Sequence, residues 1–126
     1  MSWQSYVDNH LVATGQVKHA ALLGHDGNVW AKSQEFPAAQ DQVKNIATNF
    51  SSPGKFQAGG LHLGGVKYMF LSNNEKVMRF KKGTNGVHVF KTTKAYIIAL
   101  YEEPTLAEQC AQVTEKLGEY LISVGF

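Results

Sequence analysis

The sequence predicts an α+β domain in which a central antiparallel sheet of about seven strands is covered by helices. Apolar residues recur at helical spacing near both ends of the chain and once between them. Residues 61–101 instead hold short apolar runs separated by turns of Gly, Asn and Thr. These turns leave no room for crossover helices, so neighbouring strands should pair antiparallel. At 126 residues, we expect a single domain over residues 1–126.

The first helix is predicted to begin after Ser2, which is suited to cap it, and to end at Gly15. Its apolar stripe consists of Trp3, Tyr6, Val7 and Leu11. Residues 18–23 and 29–33 then flank Asp26-Gly27, a turn pair typical of a β-hairpin. The first third of the chain therefore predicts one short amphipathic helix and one hairpin.

Two further helices are predicted by apolar stripes. The middle helix has its stripe at Val43, Ile46, Ala47 and Phe50, and it ends at the Pro53-Gly54 pair. The last helix begins with a predicted capping box of Thr105 and Glu108 and ends near Gly125. Its buried stripe is predicted to be Cys110, Val113, Leu117, Leu121 and Val124.

No motif in the sequence predicts catalysis. None of the five histidines is spaced from another as metal ligands on one helix turn are; they are His10, His19, His25, His62 and His88. The sequence contains no phosphate loop, nucleophile elbow or dinucleotide fingerprint, and its paired glycines fit turns between strands. We therefore expect no enzyme, no cofactor and no metal site.

Several features favour a cytoplasmic location. No window approaches the roughly 18 consecutive apolar residues of a membrane span. The start Met1-Ser2-Trp3-Gln4 lacks the basic and apolar segments of a secretory signal. Cys110 is the single cysteine, so no internal disulfide is possible. We expect a cytoplasmic protein.

Basic residues are concentrated in the predicted central strands. Residues 76–94 contain six of the twelve Lys and Arg residues and no acid. They are Lys76, Arg79, Lys81, Lys82, Lys91 and Lys94. The formal net charge is only +2, which by itself does not favour nucleic acid as a partner.

Three segments resemble the profilin family, most closely its short amoebal and fungal forms. They are MSWQSYVD at residues 1–8, GNVWA at residues 27–31 and EKLGEYLI at residues 115–122. The resemblance implies a central antiparallel sheet with the two terminal helices packed on one face and a shorter helix on the other. It also implies a cytoskeleton-associated monomer that binds actin monomers and regulates actin polymerisation. Its other partners would be proline-rich proteins such as formin-type elongation factors.

The resemblance implies an aromatic groove for polyproline II ligands between the terminal helices. Its walls would be Trp3, Tyr6, Trp30, Tyr120 and Phe126. Such ligands are already extended, so they need flat aromatic surfaces and donors for their free carbonyls. Asn9 is expected near the groove but outside its principal contacts. The alternative is that these aromatic residues simply fill a core.

The resemblance also implies an actin surface and a phosphoinositide surface on the basic strands. The matching actin-binding positions are Lys76, Lys82, Lys91 and Lys116, with Lys116 pointing outward, away from the aromatic groove. The matching phosphoinositide-binding positions are Arg79, Lys81, Lys82 and Lys91. A basic contact of the family is missing at Ser72, and Arg79 stands where the family has an aromatic residue.

A second function class remains open from the sequence. The chain would then be a lipid- or nucleic-acid-binding domain that uses only the basic strands, with its aromatic residues buried. Binding of that kind should weaken steeply as salt rises, whereas stacking on Trp3 and Trp30 should not.

Overall fold

A computed structural model describes residues 2–126; Met1, the first residue of the N-terminal motif, lies outside them. The first helix, α1, consists of α-helical Trp3–Ser5, π-helical Tyr6–Leu11 and a 3-10 turn at Val12–Thr14. Ser2 caps it, since the Ser5 amide donates to Ser2 Oγ at 3.1 Å. Gly15 ends it with a φ of 78°, a conformation that favours glycine. Both predicted ends of the helix are confirmed.

The remaining elements form one seven-stranded sheet and three helices. The strands are β1 His19–Gly24, β2 Val29–Lys32, β3 Leu61–Leu63, β4 Val66–Asn73, β5 Val77–Lys82, β6 Asn85–Lys91 and β7 Ala95–Tyr101. The helices are α2 Gln40–Asn49, α3 Gly54–Gly59 and α4 Ala107–Ser123. The sheet order is β2-β1-β7-β6-β5-β4-β3, and every neighbouring pair is antiparallel. The predicted fold class is confirmed.

Two apolar layers cover the two faces of the sheet. Strand β7 is buried along its whole length and contributes to both layers, because successive side chains of a strand point to opposite faces. Ile98 packs with Ile46 of α2 on one face. Ile97 packs with Leu11 of α1 and Leu121 of α4 on the other. The terminal helices therefore share one face, which is called the α4 face below, and α2 and α3 cover the opposite α2 face.

Three details differ from the sequence predictions. Helix α3 was not predicted, because its Gly54 and Gly59 disfavour a helix; it forms because Phe56 is buried in the α2 layer. The predicted position of the capping box at Thr105 is wrong by one residue. Helix α4 begins after Leu106, whose amide donates to Gln109 Oε1 at 2.7 Å. Val124 is exposed rather than buried, because it follows the last turn of α4.

Candidate functional site

Five aromatic side chains meet where the two terminal helices approach β2. The Trp3 ring is the centre of this cluster, with its centroid 4.7 Å from that of Trp30 and 4.9 Å from that of Phe126. Tyr6 follows along α1 at 5.7 Å from Trp3, and Tyr120 of α4 lies 6.2 Å from Tyr6. The structure thus brings together all five residues of the expected groove, which is called the aromatic groove below.

A side-chain hydrogen bond holds the start of α1 against the sheet. The Gln4 side-chain amide donates to the Lys32 carbonyl of β2 at 2.8 Å, which fixes Trp3 beside Trp30. Gly24 of the neighbouring strand lies under the indole: a Cβ there would be 3.0 Å from Trp30 Nε1. The position of Trp30 therefore depends on the Gln4 side chain of α1 and on Gly24 of β1, which has no side chain to displace the indole.

The other end of the groove is held by the turn between β6 and β7. The carbonyl oxygen of Phe126 accepts hydrogen bonds from Thr92 Oγ1 at 2.7 Å and from the Lys94 amide at 2.5 Å. The Lys94 ammonium lies 5.5 Å from the centre of the Phe126 ring, within the range of a cation–π contact. The Phe126 ring is thus held beside Trp3, although it follows the end of α4.

The aromatic groove is open to solvent on one side. Tyr120 is 50% exposed and Phe126 36% exposed, whereas Trp3, Tyr6 and Trp30 are half-buried against the α4-face core. Hydrogen bonding to the Tyr120 hydroxyl, followed by desolvation, raises the pKa of Tyr6. Its phenol therefore stays protonated and can donate a hydrogen bond. The alternative in which these residues only fill a core does not fit this partial exposure.

A cavity of about 490 Å³ lies between α1 and α4 beside the groove. It is lined by Tyr6, Asn9, His10, Thr14, Val113, Lys116, Leu117 and Tyr120. The expectation that Lys116 points away from the aromatic groove is therefore wrong, because this lysine shares a cavity with two groove residues. His10 was not predicted as part of the site; its position four residues after Tyr6 was the available signal, since residues four apart share a helix face.

The four lysines expected to contact actin are not brought together. Lys76 and Lys91 line one cavity of about 700 Å³, where the Lys91 amide donates to the Lys76 carbonyl at 2.7 Å. Lys82 is at the other end of β5, about 20 Å along the strand from Lys76. Lys116 lies on α4 beside α1. Two of the four therefore share a surface.

The four expected phosphoinositide contacts are divided between two faces. Because Met78 and Phe80 are buried in the α2 layer, the alternating Arg79 and Lys81 point to the α4 face. Lys82 follows on the α2 face. Lys91 is also on that side, with its ammonium 5.9 Å from the centre of the Phe50 ring. Strand alternation explains why neighbours in sequence do not form one cluster.

Exposed apolar side chains on β4 were missed by the sequence analysis. Tyr68 and Phe70 pack into the α2 layer, so Met69 and Leu71 project from the α4 face, where they are 69% and 53% exposed. Met69 is directly opposite Lys81 of β5. Leu71 and Lys81 line a cavity of about 470 Å³ that is shared with Leu106 before α4. The available signal was the sequence VKYMFLSN, in which both faces of the strand are apolar.

One buried histidine lies beneath α4. His88 is opposite Arg79 on the neighbouring strand, and its Nε2 is 2.9 Å from Glu115 Oε2, though too far out of line for a hydrogen bond. Burial, followed by the Arg79 charge, lowers the pKa of His88 to about 4. The imidazole is therefore neutral at neutral pH.

In residues 2–126, no group of three or more His, Cys, Asp or Glu side chains is arranged to hold a metal ion. No helix in the same part of the chain is long and apolar enough to cross a membrane.

Comparisons with known proteins agree on one family. The family model described as Profilin matches residues 1–126. Profilin of Branchiostoma belcheri is 52% identical over 122 residues, which cover 97% of this chain and 97% of that protein. The crystal structure of Acanthamoeba castellanii profilin II matches with a TM-score of 0.94 and 40% identity, covering 99% of this chain and 100% of that chain.

A vertebrate structure shares the fold at lower identity. Mouse profilin IIa, solved in complex with a double repeat from the FH1 domain of mDia1, matches with a TM-score of 0.79 and 23% identity, covering 100% of both chains. The match of the whole sequence to the family model, together with the 52% identity of a curated relative, establishes the assignment. The chain therefore belongs to the profilin family, whose members are actin-binding regulators of the cytoskeleton and not enzymes.

Proposed function

We propose that this protein binds an actin monomer and a proline-rich peptide on two separate surfaces and thereby regulates actin polymerisation. The observation that carries the proposal is the aromatic groove, in which Trp3 contacts Trp30, Tyr6 and Phe126 while the cluster stays open to solvent. The related mouse profilin IIa was solved with an FH1 repeat. A proline-rich segment of a formin-type elongation factor is the corresponding ligand for this chain.

The groove suits a polyproline II helix on physical grounds. Such a helix has no internal hydrogen bonds and is extended before binding, so it loses little conformational entropy. Its proline rings would stack on the Trp3 and Trp30 indoles, and the indole N–H groups and the Tyr6 hydroxyl would donate to its carbonyls. Apolar stacking of this kind depends weakly on salt.

The proposed actin surface is the uncovered part of the α4 face on β4 and β5. It has an apolar centre of Met69 and Leu71, and Arg79 and Lys81 lie beside them on the next strand. Exposed apolar residues surrounded by polar ones are typical of protein interfaces. Lys76 and Lys91 line a separate cavity with Asn73, which is opposite Met78 of the α2 layer, so that cavity is not part of the proposed surface. Lys82 and Lys116 fall outside the proposed surface.

Acidic phosphoinositides are proposed to compete with actin. Arg79 and Lys81 project from the α4 face of β5. Arg79 is 4.0 Å from Glu115 of α4, whereas Lys81 has no carboxylate within 4.0 Å among residues 2–126, so Lys81 is the more favourable contact for an anionic headgroup. Lys82 and Lys91 point to the other side, so we expect them to contribute less. Vesicles containing a phosphoinositide should displace actin, and this displacement should weaken as salt rises. Simultaneous binding of actin and vesicles would contradict a shared surface.

Retention on immobilised poly-proline tests the proposed groove. The wild-type protein should stay bound in high salt and elute in denaturant, whereas a protein that binds through basic residues alone would elute in salt. Trp3→Ala should lose retention while its far-UV circular dichroism stays that of the wild type. Lys55→Ala, on the exposed side of α3, is the control and should be retained normally. Normal retention of Trp3→Ala would exclude the aromatic groove as the binding site.

A further inference from the structure

The cavity between α1 and α4 continues the aromatic groove. Tyr6 and Tyr120 belong to both, so a peptide that leaves the groove along α1 enters the cavity directly. The His10 ring lies 5.5 Å from that of Tyr6, on the side away from Trp3 along the helix. A polyproline II helix advances about 3.1 Å per residue. One or two residues beyond the prolines stacked on Tyr6 would therefore lie in the cavity.

The lining of the cavity combines an apolar base with a positive edge. Leu117 is buried and Val113 half-buried, and both pack into the α4-face core. Lys116 is exposed at the edge of the cavity. No carboxylate is among the lining residues, all of which belong to the described part of the chain. The cavity thus offers contacts for methylene groups close to an ammonium group.

Three acids are near the cavity in sequence: Asp8, Glu115 and Glu119. Glu119 is exposed, and it is more than 4.0 Å from the Lys116 ammonium. Asp8 accepts a hydrogen bond from Gln4, whose amide also donates to β2, so Asp8 is on the sheet side of α1. Glu115 contacts His88 and Arg79 at 2.9 and 4.0 Å. These are the two contacts of 4.0 Å or less between a basic and an acidic side chain found within residues 2–126, so Lys116 has no carboxylate within 4.0 Å there. The Lys116 ammonium is available to a ligand.

We propose that this cavity is a subsite for an acidic residue next to the prolines of the bound peptide, and that Lys116 selects it. The methylene groups of a glutamate lie on Val113 and Leu117, and its carboxylate pairs with the Lys116 ammonium. The inference rests on the proposed function, because the aromatic groove must hold the prolines first. It would give this protein a preference among proline-rich partners that aromatic stacking alone cannot supply.

Labelled ten-proline peptides test the subsite by fluorescence anisotropy. One set is unflanked, and the others carry Gly-Glu-Gly or Gly-Gln-Gly at either end, because the peptide can lie in either direction. At one of the two ends, the wild-type protein should bind the glutamate peptide about threefold more tightly than its glutamine counterpart, as expected for a partly exposed ion pair. Lys116→Gln should remove this difference and leave the affinity for unflanked proline unchanged.

Two matched variants distinguish a local pair from general charge. Lys116→Glu should favour a Gly-Lys-Gly flank over Gly-Glu-Gly, which reverses the wild-type preference. Lys55→Gln removes the same charge from the α2 face and should keep the preference for glutamate. Equal wild-type affinity for glutamate and glutamine flanks at both ends, or loss of the preference in Lys55→Gln, would overturn the subsite while the groove stands. Failure of unflanked proline to bind would overturn the proposed function, and the subsite with it.

Discussion

Gly118 of α4 lies directly against the Phe90 ring of β6, so closely that a Cβ at Gly118 would overlap the Cδ2 and Cε2 atoms of that ring. This contact sets how near α4 approaches the sheet. It matters for function, because α4 carries Tyr120 on one side, and on the other Ala107 and Glu115 lie beside Leu71, Lys81 and Arg79 of the exposed β4–β5 surface. Both proposed binding surfaces thus depend on one close helix–sheet contact.

Replacing Gly118 should therefore destabilise the protein. We expect Gly118→Ala to lower the free energy of unfolding by about 1–3 kcal/mol, because the methyl group must displace the Phe90 ring. Chemical denaturation measures this loss. The control is Gly54→Ala, since Gly54 has nothing within 4 Å of its Cβ position and should tolerate the change. Equal stability of the Gly118 variant and the wild type would mean that α4 packs differently.

A charge in the exposed apolar surface should impair actin binding alone. Leu71→Glu places a carboxylate in the centre of the proposed interface, and we expect actin affinity to fall about tenfold or more. Pyrene-actin assembly and direct titration both measure the effect. Retention on poly-proline should not change, because the aromatic groove is elsewhere on the protein. Lys55→Glu is the control for a change of surface charge, and wild-type actin affinity of Leu71→Glu would exclude this surface.

Buried His88 should make stability depend on pH in a defined range. Its pKa is lowered from 6.5 to about 4 in the folded protein, so the unfolded chain binds more protons between these values. Stability from this group is fully present above pH 6.5 and is lost as the pH falls towards 4. At pH 4, the free energy of unfolding is expected to be about 3 kcal/mol lower than at neutral pH because of this group. No further loss from His88 follows once the pH is well below 4, where both the folded and the unfolded states are protonated.

A variant isolates this contribution from that of the carboxylates. His88→Leu fills the buried site with an apolar group that cannot be protonated. Unfolding should be measured for both proteins at pH 7 and pH 4. We expect the wild type to lose about 3 kcal/mol more than His88→Leu over this interval. Parallel losses in the two proteins would show that His88 accepts a proton in the folded state as readily as in the unfolded one.

The sequence predicted the elements well because local signals and packing agree. Ser2 and Gly15 have the residue types that helix ends require, and the turns between residues 61 and 101 left only antiparallel pairing. Helix α3 could not be predicted in this way, because the burial of Phe56 outweighs two unfavourable glycines. Tertiary packing decided that element.

The surfaces were less predictable than the fold. Residue types and the family resemblance grouped the five aromatic residues correctly, since three elements each present a large ring at one place. The lysines could not be assigned from their order in the chain. Lys81 and Lys82 are adjacent yet point to opposite faces, and Lys116 shares a cavity with Tyr6. The face to which a lysine side chain points depends on strand register and on how the helices pack, and the amino-acid composition specifies neither.

Peptide affinity in the presence of saturating actin tests the two-surface proposal most directly. A labelled ten-proline peptide is titrated with the free protein and with its complex with monomeric actin held in a non-polymerising buffer. The aromatic groove and the exposed surface around Leu71 are separate surfaces, so actin should change the peptide's dissociation constant by no more than about twofold. Coupled sites usually change each other's affinity about fivefold or more. Displacement of the peptide by actin would contradict separate surfaces.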